Sequence, residues 1–343
     1  MKLKIGNVEL GQKPLFLAPM EDVTDPSFRF LCKRFGADMM YTEFINADGL
    51  IRDARTSVAK LDIFEYERPI GIQLYGHEID SMVEATRVAT AAKPDVIDIN
   101  FGCPVKKIAN RGAGSGMMRD VPKMVEMTRQ IVNATNVPVT IKTRLGWDDG
   151  SKNIVEIAEQ LQDVGIKALT IHGRTRAQLY KGEADWTLIG EVKNNPRITI
   201  PIIGNGDIDS PEKAKIAFET FGVDGIMIGR ATYGRPWIFK EIKHFLETGE
   251  KLKPFSIPEK VELAKYHLKK SLEIKGEKTG IFELRRHLTC YFKGLPHFKE
   301  IRLKLVTSMD PSEISSLLDL VAEKYADFTP DEMIDPSPWV KLV

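Results

Sequence analysis

The stretch "IPIIGNGDIDSPEKAKIAFETFGVDGIMIGR", Ile200 to Arg230, contains one complete unit of the pattern that decides the fold. It begins with a short apolar run (200–206), continues with a segment of helical spacing that ends at a glycine, and reaches a second apolar run (225–230). Glycine commonly follows the last turn of a helix. The stretch therefore predicts a strand, a helix and a second strand.

The same alternation extends from this unit toward the N-terminus. Six further apolar runs, with the two runs above, make eight strand–helix units. Eight such units predict a (β/α)8 TIM barrel over residues 1–245, a fold of about 250 residues. A doubly wound sheet would more naturally stop at about five to seven strands. The six preceding runs are "LFLAP" (15–19), "DMMYTE" (38–43), "IGIQLYG" (70–76), "VIDIN" (96–100), "PVTIKTR" (138–144) and "ALTIHGR" (168–174).

After the barrel the pattern changes to helical spacing without strands. Residues 256–328 predict a small all-α helical bundle, and residues 329–343 an irregular C-terminal tail. The net charge is only +1, but residues 256–310 hold 12 Lys and Arg against 7 Asp and Glu. A basic face of this kind fits contact with phosphates, although a solubilising surface gives the same count.

Composition narrows the class of protein. The chain is 43% apolar and 28% charged, and it has no uninterrupted apolar run long enough to span a bilayer. The N-terminus lacks a signal-peptide pattern, so we expect a mature cytoplasmic protein. Cys32, Cys103 and Cys290 are far apart, which disfavours a disulfide framework or a zinc site. Any special cysteine must act alone.

Barrel enzymes act at the carboxyl ends of their strands, and here those ends are unusually polar and rich in glycine. Gly206 and Gly229 follow the last two strands and would let backbone N–H groups approach an anion, with Arg230 as a bidentate partner. Either loop alone could equally be a tight corner, but both at adjacent strands favour a phosphate. The other strand-end residues are "APMEDVT" (18–24), Gln73, Asn100, Cys103, Lys142, Arg144, His172 and Arg174.

Phosphate at one edge and cations at the fifth and sixth strands indicate a ligand stretched across the barrel mouth. Lys142 and His172 would lie near an electron-rich ring, where a cation stabilises an anionic reduced flavin. Gln73 has both a donor and an acceptor, which suits the edge of a flavin pyrimidine ring. A single Lys or His is more often a salt-bridged barrel residue, but the coincidence of these positions favours a flavin site.

Cys103 stands between Gly102 and Pro104 on the loop after the fourth strand. A lone cysteine is more often a small buried apolar residue than a catalyst. On a stiff turn at a strand end, however, a thiol that stays protonated at neutral pH can donate a proton. Cys32 and Cys290 lie within helical patterns, which favours structural roles for both.

Seven motifs follow one another along the chain: "APMEDVTDPSFR", "INFGCPVKK", "GAGSGMM", "IKTRLGW", "IHGRTRAQLYKGEADW", "IGNGDI" and "IGRATYGRPWIF". In sequence and spacing they resemble the motifs of the tRNA-dihydrouridine synthases, in particular the bacterial branch. The resemblance covers residues 1–245 and, more loosely, the helical region through "RRHLTCYFKG". It implies an FMN-dependent enzyme that uses NADPH to reduce the 5,6 double bond of D-loop uridines in tRNA.

The resemblance also implies roles for individual residues. Cys103 is the implied proton donor to uracil carbon 5, while reduced FMN gives a hydride to carbon 6. Glu21 departs from the pattern, since many relatives have a small residue there, but backbone contacts would suffice at this position. The implied FMN-binding residues are Pro19, Met20, Glu21, Gln73, Lys142, His172, Asn205, Gly206, Asp207, Gly229 and Arg230.

The uridine of a folded tRNA must be extruded to reach such a pocket, at a modest cost in RNA loops. Lys106 and Lys107 are candidates for phosphate contact, with a solvated charged face as an equal alternative. We expect a monomer without metal or membrane partner. The candidate substrate-binding residues are Asn100, Lys106, Lys107, Arg144, Arg174, Arg285 and Arg286.

Two alternatives stay open on the sequence. One is a flavin barrel dehydrogenase of a small pyrimidine, similar to a dihydroorotate or dihydropyrimidine dehydrogenase, which the basic helical extension disfavours. The other is an RNA-binding protein that keeps the barrel as a scaffold, which the complete set of strand-end groups disfavours.

Overall fold

The computed structural model describes residues 2–328. Eight of the strands in this range coincide with the eight apolar runs of the sequence. Strands covered on both faces consist of nearly continuous apolar residues, as seen here in the adjacent residues Val96 and Ile97, which are both fully buried. The strands are β1 (Lys4–Ile5), β2 (Val8–Glu9), β3 (Leu15–Leu17), β4 (Met40–Tyr41), β5 (Ile45–Asn46), β6 (Ile70–Tyr75), β7 (Val96–Asn100), β8 (Val139–Arg144), β9 (Ala168–His172), β10 (Ile202–Asn205) and β11 (Gly225–Ile228). The short strands β1, β2 and β5 were not predicted.

Eight of these strands form a barrel. They follow one another in the order β3-β11-β10-β9-β8-β7-β6-β4, and each pair along this path is parallel. A parallel bridge between Phe16 and Met39 joins the two ends of the sheet. The predicted (β/α)8 barrel is confirmed. The antiparallel hairpin of β1 and β2 packs its apolar residues, such as Ile5, with Ile203 and Met227 of the barrel.

Helices cover the outside of the barrel between the strands. In the unit that decided the fold, Ser210 caps the helix by accepting a hydrogen bond from the Lys213 amide at 3.3 Å, and Gly222 ends it with φ +66°. The helices of this region are α1 (Pro26–Arg34), α2 (Ala47–Leu50), α3 (Arg55–Val58), α4 (Ile79–Ala91), α5 (Lys106–Ala109), α6 (Val121–Ala134), α7 (Ile154–Asp163), α8 (Thr187–Asn194), α9 (Pro211–Phe221) and α10 (Ile238–Thr248).

The predicted all-α bundle follows the barrel and is confirmed as well. Its helices are α11 (Ile257–Lys275), α12 (Glu277–Tyr291), α13 (Lys299–Thr307) and α14 (Pro311–Lys324), with no strand in residues 256–328. They share a separate apolar core, to which Trp237 contributes from the end of the barrel segment. The exact boundary between the two domains stays a prediction, and the predicted irregular tail, 329–343, lies outside the described residues.

The bundle is fixed to the barrel next to the loop that follows β3. His287 of α12 is buried at this seam, with its ring centroid 4.0 Å from that of Phe28 on α1 and its Nε2 3.2 Å from the Val23 carbonyl oxygen. Burial lowers the pKa of His287 to about 4, so the ring is neutral at physiological pH. The bundle therefore lies beside one edge of the barrel mouth.

Candidate active site

Strand register brings the polar strand-end residues together at one mouth of the barrel. Asn205 is paired with His172, His172 with Arg144, and Asn100 with Lys142 across neighbouring strands. Because all barrel strands run in the same direction, these carboxyl ends surround a single opening. The predicted site residues on β7, β8, β9 and β10 are thus neighbours in space.

Cys103 lies on a turn that Asn100 holds in place. The side-chain oxygen of Asn100 accepts hydrogen bonds from the backbone amides of Gly102 at 3.0 Å and Cys103 at 2.8 Å. The Cys103 carbonyl in turn accepts from the amide and hydroxyl of Ser115 at 3.1 and 2.7 Å. Burial raises the pKa of the Cys103 thiol, although the Val105 amide and nearby cations oppose this. The thiol is therefore protonated at neutral pH, as a proton donor requires.

Gln73 and Asn100 belong to one buried hydrogen-bond network that also contains Asp98. Gln73 Nε2 donates to Asp98 at 2.6 Å, and Asn100 Nδ2 donates to Gln73 Oε1 at 2.9 Å. Sequence reasoning missed Asp98. The available signal was a charged residue inside an apolar strand, two positions before Asn100 and so on the same face of the strand. We call Gln73, Asp98, Asn100 and Cys103 the thiol side of the mouth.

The adjoining arc of the mouth, which begins at β8, carries several cations. Burial, with a contribution from Arg144, lowers the pKa of Lys142 to about 8, and its Nζ donates to Asn205 Oδ1 at 3.2 Å. Arg144 donates to the carbonyl oxygens of Gly102 at 2.7 Å and Thr175 at 3.0 Å, which ties the two loops together. We call Lys142, Arg144, His172, Arg174, Asn205, Asp207 and Arg230 the cationic side.

His172 is neutral in this environment. Burial, followed by the charges of Arg144 and Lys142, lowers its pKa well below the ordinary value. Its Nε2 lies 3.4 Å from a guanidinium nitrogen of Arg174. A neutral imidazole can donate from one nitrogen and accept at the other, so His172 offers hydrogen bonds to a ligand without further charge.

Arg174 is engaged inside the protein. Its guanidinium, only 1% exposed, donates to the two carboxylate oxygens of Asp207 at 2.9 and 2.6 Å. Burial opposes ionisation of Asp207, but this pair and the Ala184 amide hold its pKa below the usual range. Direct contact of Arg174 with substrate remains a prediction, while its observed role is to orient the loop after β10.

The loop after β10 contains two consecutive residues with positive φ, and Arg230 from the loop after β11 lies against it. Gly206 has φ +131°, and a Cβ there would approach the Ala184 Cβ to 2.6 Å, so a side chain does not fit. Asp207 also has positive φ, at +54°. Arg230, about half exposed, donates to Asp207 at 2.9 Å. Consecutive residues of this conformation present amides to an anion, with a guanidinium beside them.

Residues 19–21 form the edge of the mouth nearest the helical bundle. Pro19 is buried and Met20 partly buried, and the Met20 amide donates to Thr24 Oγ1 at 2.9 Å. Glu21 forms an ion pair with Lys60, while its carbonyl accepts from Arg286 at 3.2 Å. The carboxylate that departs from the family pattern is thus turned to Lys60.

The remaining predicted substrate residues occupy different surroundings. Lys106 and Lys107 are exposed on α5, just beyond Cys103. Arg286 is exposed beside the mouth, whereas Arg285 donates to the carbonyl oxygens of Thr307 at 3.2 Å and Ser308 at 3.3 Å. Arg285 therefore satisfies carbonyls at the end of α13, and phosphate contact by either arginine stays a prediction.

Two aromatic groups at the mouth were missed by sequence reasoning. Tyr180 is half-exposed, with the guanidinium carbons of Arg230 and Arg144 at 4.8 and 5.6 Å from its ring centroid. Trp147 lies between two further arginines, Arg119 at 5.0 Å and Arg176 at 4.5 Å. An aromatic residue before a glycine-rich turn gave the only sequence signal for Tyr180.

Among the described residues, one acidic group could be considered for a metal. Ligand atoms of Glu21, Asp22 and Glu43 lie within 4.8 Å of one another. Lys60 already pairs with Glu21, and burial raises the pKa of Glu43 to about 7. These acids are therefore partly neutralised by the protein, and the prediction of no metal stays a prediction.

The family model described as dihydrouridine synthase (Dus) matches residues 16–327 of this sequence. The chain belongs to the dihydrouridine synthase family. It is 40% identical over 323 residues to tRNA-dihydrouridine synthase B of Pseudomonas aeruginosa, covering 94% of this chain and 96% of that protein. It is 43% identical over 318 residues to a probable tRNA-dihydrouridine synthase 1 of Synechocystis, covering 92% and 88%. The resemblance seen in the motifs is confirmed.

Two solved structures with a similar fold have far lower sequence identity to this chain. Morphinone reductase matches with a TM-score of 0.51 at 14% identity, covering 74% of this chain and 90% of that chain. Histamine dehydrogenase from Rhizobium matches with a TM-score of 0.55 at 12% identity, covering 95% and 64%. At this level of identity the likeness shows the fold alone. Within residues 2–328, no helix combines the length and apolar character that crossing a membrane requires.

Proposed function

We propose that the protein is a tRNA-dihydrouridine synthase that binds FMN and reduces the 5,6 double bond of D-loop uridines with NADPH. The observation that carries this proposal is a protonated thiol facing the same barrel mouth as a cationic, glycine-lined arc. The two sides are close, because Arg144 donates to the carbonyl oxygen of Gly102, next to Cys103, at 2.7 Å, and Asn100 is paired with Lys142. The membership of the chain in the dihydrouridine synthase family supports the same reaction.

The positive charge and the hydrogen-bonding groups of the cationic side suit a flavin mononucleotide. The amides after β10, the backbone at Gly229 and the guanidinium of Arg230 suit its phosphate. Lys142 and His172 suit the pole of the ring that becomes anionic on reduction, and Gln73 suits the pyrimidine edge. One donor hydrogen of Gln73 is used by Asp98, which leaves the second for a ligand. Residues 19–21 and Asn205 would complete the site.

Carbon 6 of the uracil would receive a hydride, which is the chemistry that FMN reduced by NADPH would supply when bound at the cationic side. Cys103 transfers its proton to carbon 5, so the two hydrogens saturate the double bond, and the thiolate regains a proton from solvent. The raised pKa of this thiol keeps the proton in place until negative charge develops at carbon 5. The turn held by Asn100 would keep the thiol in one orientation beside a pyrimidine bound in the mouth.

For tRNA we propose contacts around the rim of the mouth. Arg286, at the edge formed by residues 19–21, links the basic helical bundle to the opening. Lys106 and Lys107 lie on the side of Cys103, and Arg144 and Asn100 are close enough to the thiol turn to contact the extruded base. The arginines around Trp147 add a cationic aromatic surface, which suits single-stranded RNA.

The test is a substrate comparison with purified protein, FMN and NADPH. We expect dihydrouridine in tRNA that lacks this modification, detected by mass spectrometry of nucleosides, and no reduction of free uracil or orotate. Reduction of a free pyrimidine without product in tRNA would instead support the small-molecule dehydrogenase. A protein that binds tRNA but carries no flavin would support a scaffold role. Cytoplasmic location and a monomeric state remain predictions.

A further inference from the structure

We propose that Asp98 is a positioning residue that sets the orientation of both Gln73 and the Cys103 turn through a continuous series of buried hydrogen bonds. Its effect on catalysis rests on the proposed function. The hydrogen bonds themselves are properties of the chain alone, so they can be tested without substrate.

The series crosses three neighbouring strands beneath the mouth. It begins with the Thr140 hydroxyl, which donates to Asp98 Oδ1 at 2.5 Å, while Gln73 donates to Asp98 Oδ2 at 2.6 Å. It continues from Asn100 to Gln73 at 2.9 Å, and ends where the Cys103 amide donates to Asn100 at 2.8 Å. Each of these side chains is at least nine-tenths buried. Solvent therefore does not substitute readily for a missing partner.

The direction of every bond in the series follows from the carboxylate. An ionised Asp98 can only accept, so the amide nitrogen of Gln73 must face it and the oxygen of Gln73 must face Asn100. Asn100 then donates through its nitrogen, which leaves its oxygen toward the amides of Gly102 and Cys103. Reversing the Gln73 amide would oppose donor to donor at one end and acceptor to acceptor at the other.

The charge state of Asp98 is consistent with this role. Burial raises its pKa to about 6, while the hydrogen bonds from Gln73 and Thr140 and the charge of Lys142 oppose the increase. The carboxyl is therefore mostly ionised at pH 7. A buried carboxylate is costly without partners, and here its partners are the groups that present the site.

The first consequence concerns Gln73, which keeps one donor hydrogen and one acceptor lone pair in a fixed arrangement for a ligand. The second concerns Cys103, whose turn has its two leading amides bound to a single oxygen. One carboxylate on β7 thus orients the proposed flavin-edge group and the proposed proton donor together.

The experiment measures alkylation of the three cysteines in the full chain as purified, with iodoacetamide and mass spectrometry of the labelled peptides. Cys32 is fully buried and Cys290 is half-buried in α12, so they act as internal references. The variants are Asp98→Asn, Thr140→Val and Thr140→Ser. Thr86→Val is the matched control, because it removes a buried hydroxyl that donates to Met82 on α4, away from the series.

In Asp98→Asn we expect the labelling rate of Cys103, relative to that of Cys290, to rise about tenfold. This factor corresponds to the loss of one hydrogen bond to a charged acceptor. A carboxamide can turn its nitrogen toward Gln73, which reverses the series and frees the Cys103 turn. Thr140→Val should give a smaller rise, about threefold, since one bond of Asp98 is lost. Thr140→Ser and Thr86→Val should match the wild type.

Equal relative rates for Cys103 in wild type, Asp98→Asn and Thr140→Val would overturn the proposal. Labelling of Cys32 as readily as Cys103 would show general loss of packing, and it would also overturn a positioning role. If Asp98→Asn does not fold, the comparison of Thr140→Val with Thr140→Ser decides. Failure to form dihydrouridine with tRNA would refute the proposed function but leave these rates, and so this inference, unaffected.

Discussion

The two sides of the barrel mouth satisfy their polar groups in opposite ways. On the thiol side, Asp98 anchors amide groups whose hydrogen bonds are mostly made within the protein. On the cationic side, Lys142 and His172 have lowered pKa values because burial and neighbouring cations oppose their charge. Groups held by internal hydrogen bonds favour rigid placement of an acid, whereas the neighbouring positive charges of Lys142 and Arg144 favour binding of an anion. The comparison shows that one opening combines a rigidly held thiol with a positively charged surface.

Replacing Cys103 with Ala should separate these tasks most sharply. We expect dihydrouridine formation to fall by about 10²- to 10⁴-fold, the usual contribution of a general acid. FMN binding and its reduction by NADPH should persist, because the cationic side is intact. Rapid-mixing absorbance measures reduction of the flavin, and nucleoside analysis of tRNA measures dihydrouridine formation. Cys290→Ala is the control, and ordinary product formation by Cys103→Ala would remove the thiol from the mechanism.

Asp207→Asn should affect the stability of the cationic side. Arg174 would lose its ion-pair partner while still buried, at a cost of about 3–5 kcal/mol in the free energy of unfolding. Urea denaturation followed by circular dichroism measures this loss. Asp209→Asn is the matched control, since its pair with Lys213 is half-exposed and should matter by less than about 1 kcal/mol. Equal stability of the two variants would contradict the importance of the buried pair.

The pH dependence of FMN binding should report Lys142. Its pKa in the ligand-free protein is about 8, so the side chain is charged below this pH and neutral above it. Affinity for FMN should therefore decrease by about tenfold as pH rises from 7 to 9, the effect of losing one charge-assisted contact. Flavin fluorescence quenching measures it. Lys142→Met should bind FMN weakly at every pH in this range. If its affinity decreased between pH 7 and pH 9 as that of the wild type does, Lys142 would not be the titrating group.

Charge reversal at Arg286 should have the smallest effect. We expect the KM for tRNA to rise about threefold to tenfold, with a weaker salt dependence, and NADPH oxidation without tRNA to stay unchanged. Lys215→Glu makes the same change on the outer helix α9, where it should leave the KM unaltered. Arg285→Glu should instead lower stability through its contacts with the end of α13. Equal KM values in all variants would refute the proposed rim contact.

The sequence by itself determined the barrel, the bundle and most strand-end residues. Short apolar runs and a helical period of 3.6 residues are local properties of the chain. The runs therefore located the strands, and the strand ends then located Asn100, Lys142 and His172. A glycine and a proline around Cys103 marked its turn in the same local way. The family was evident from motifs that are each short and continuous.

Only the tertiary structure decided which groups are paired and which remain for ligands. Arg174, a predicted substrate contact, pairs with Asp207, which lies 33 residues away in the sequence. Gln73 meets Asp98 over a separation of 25 residues, and Arg285 turns to α13 while its neighbour Arg286 reaches the mouth. Such partners are chosen by strand register and helix packing, which bring distant segments together. The local pattern that identifies a residue type at a strand end contains no information about its partner.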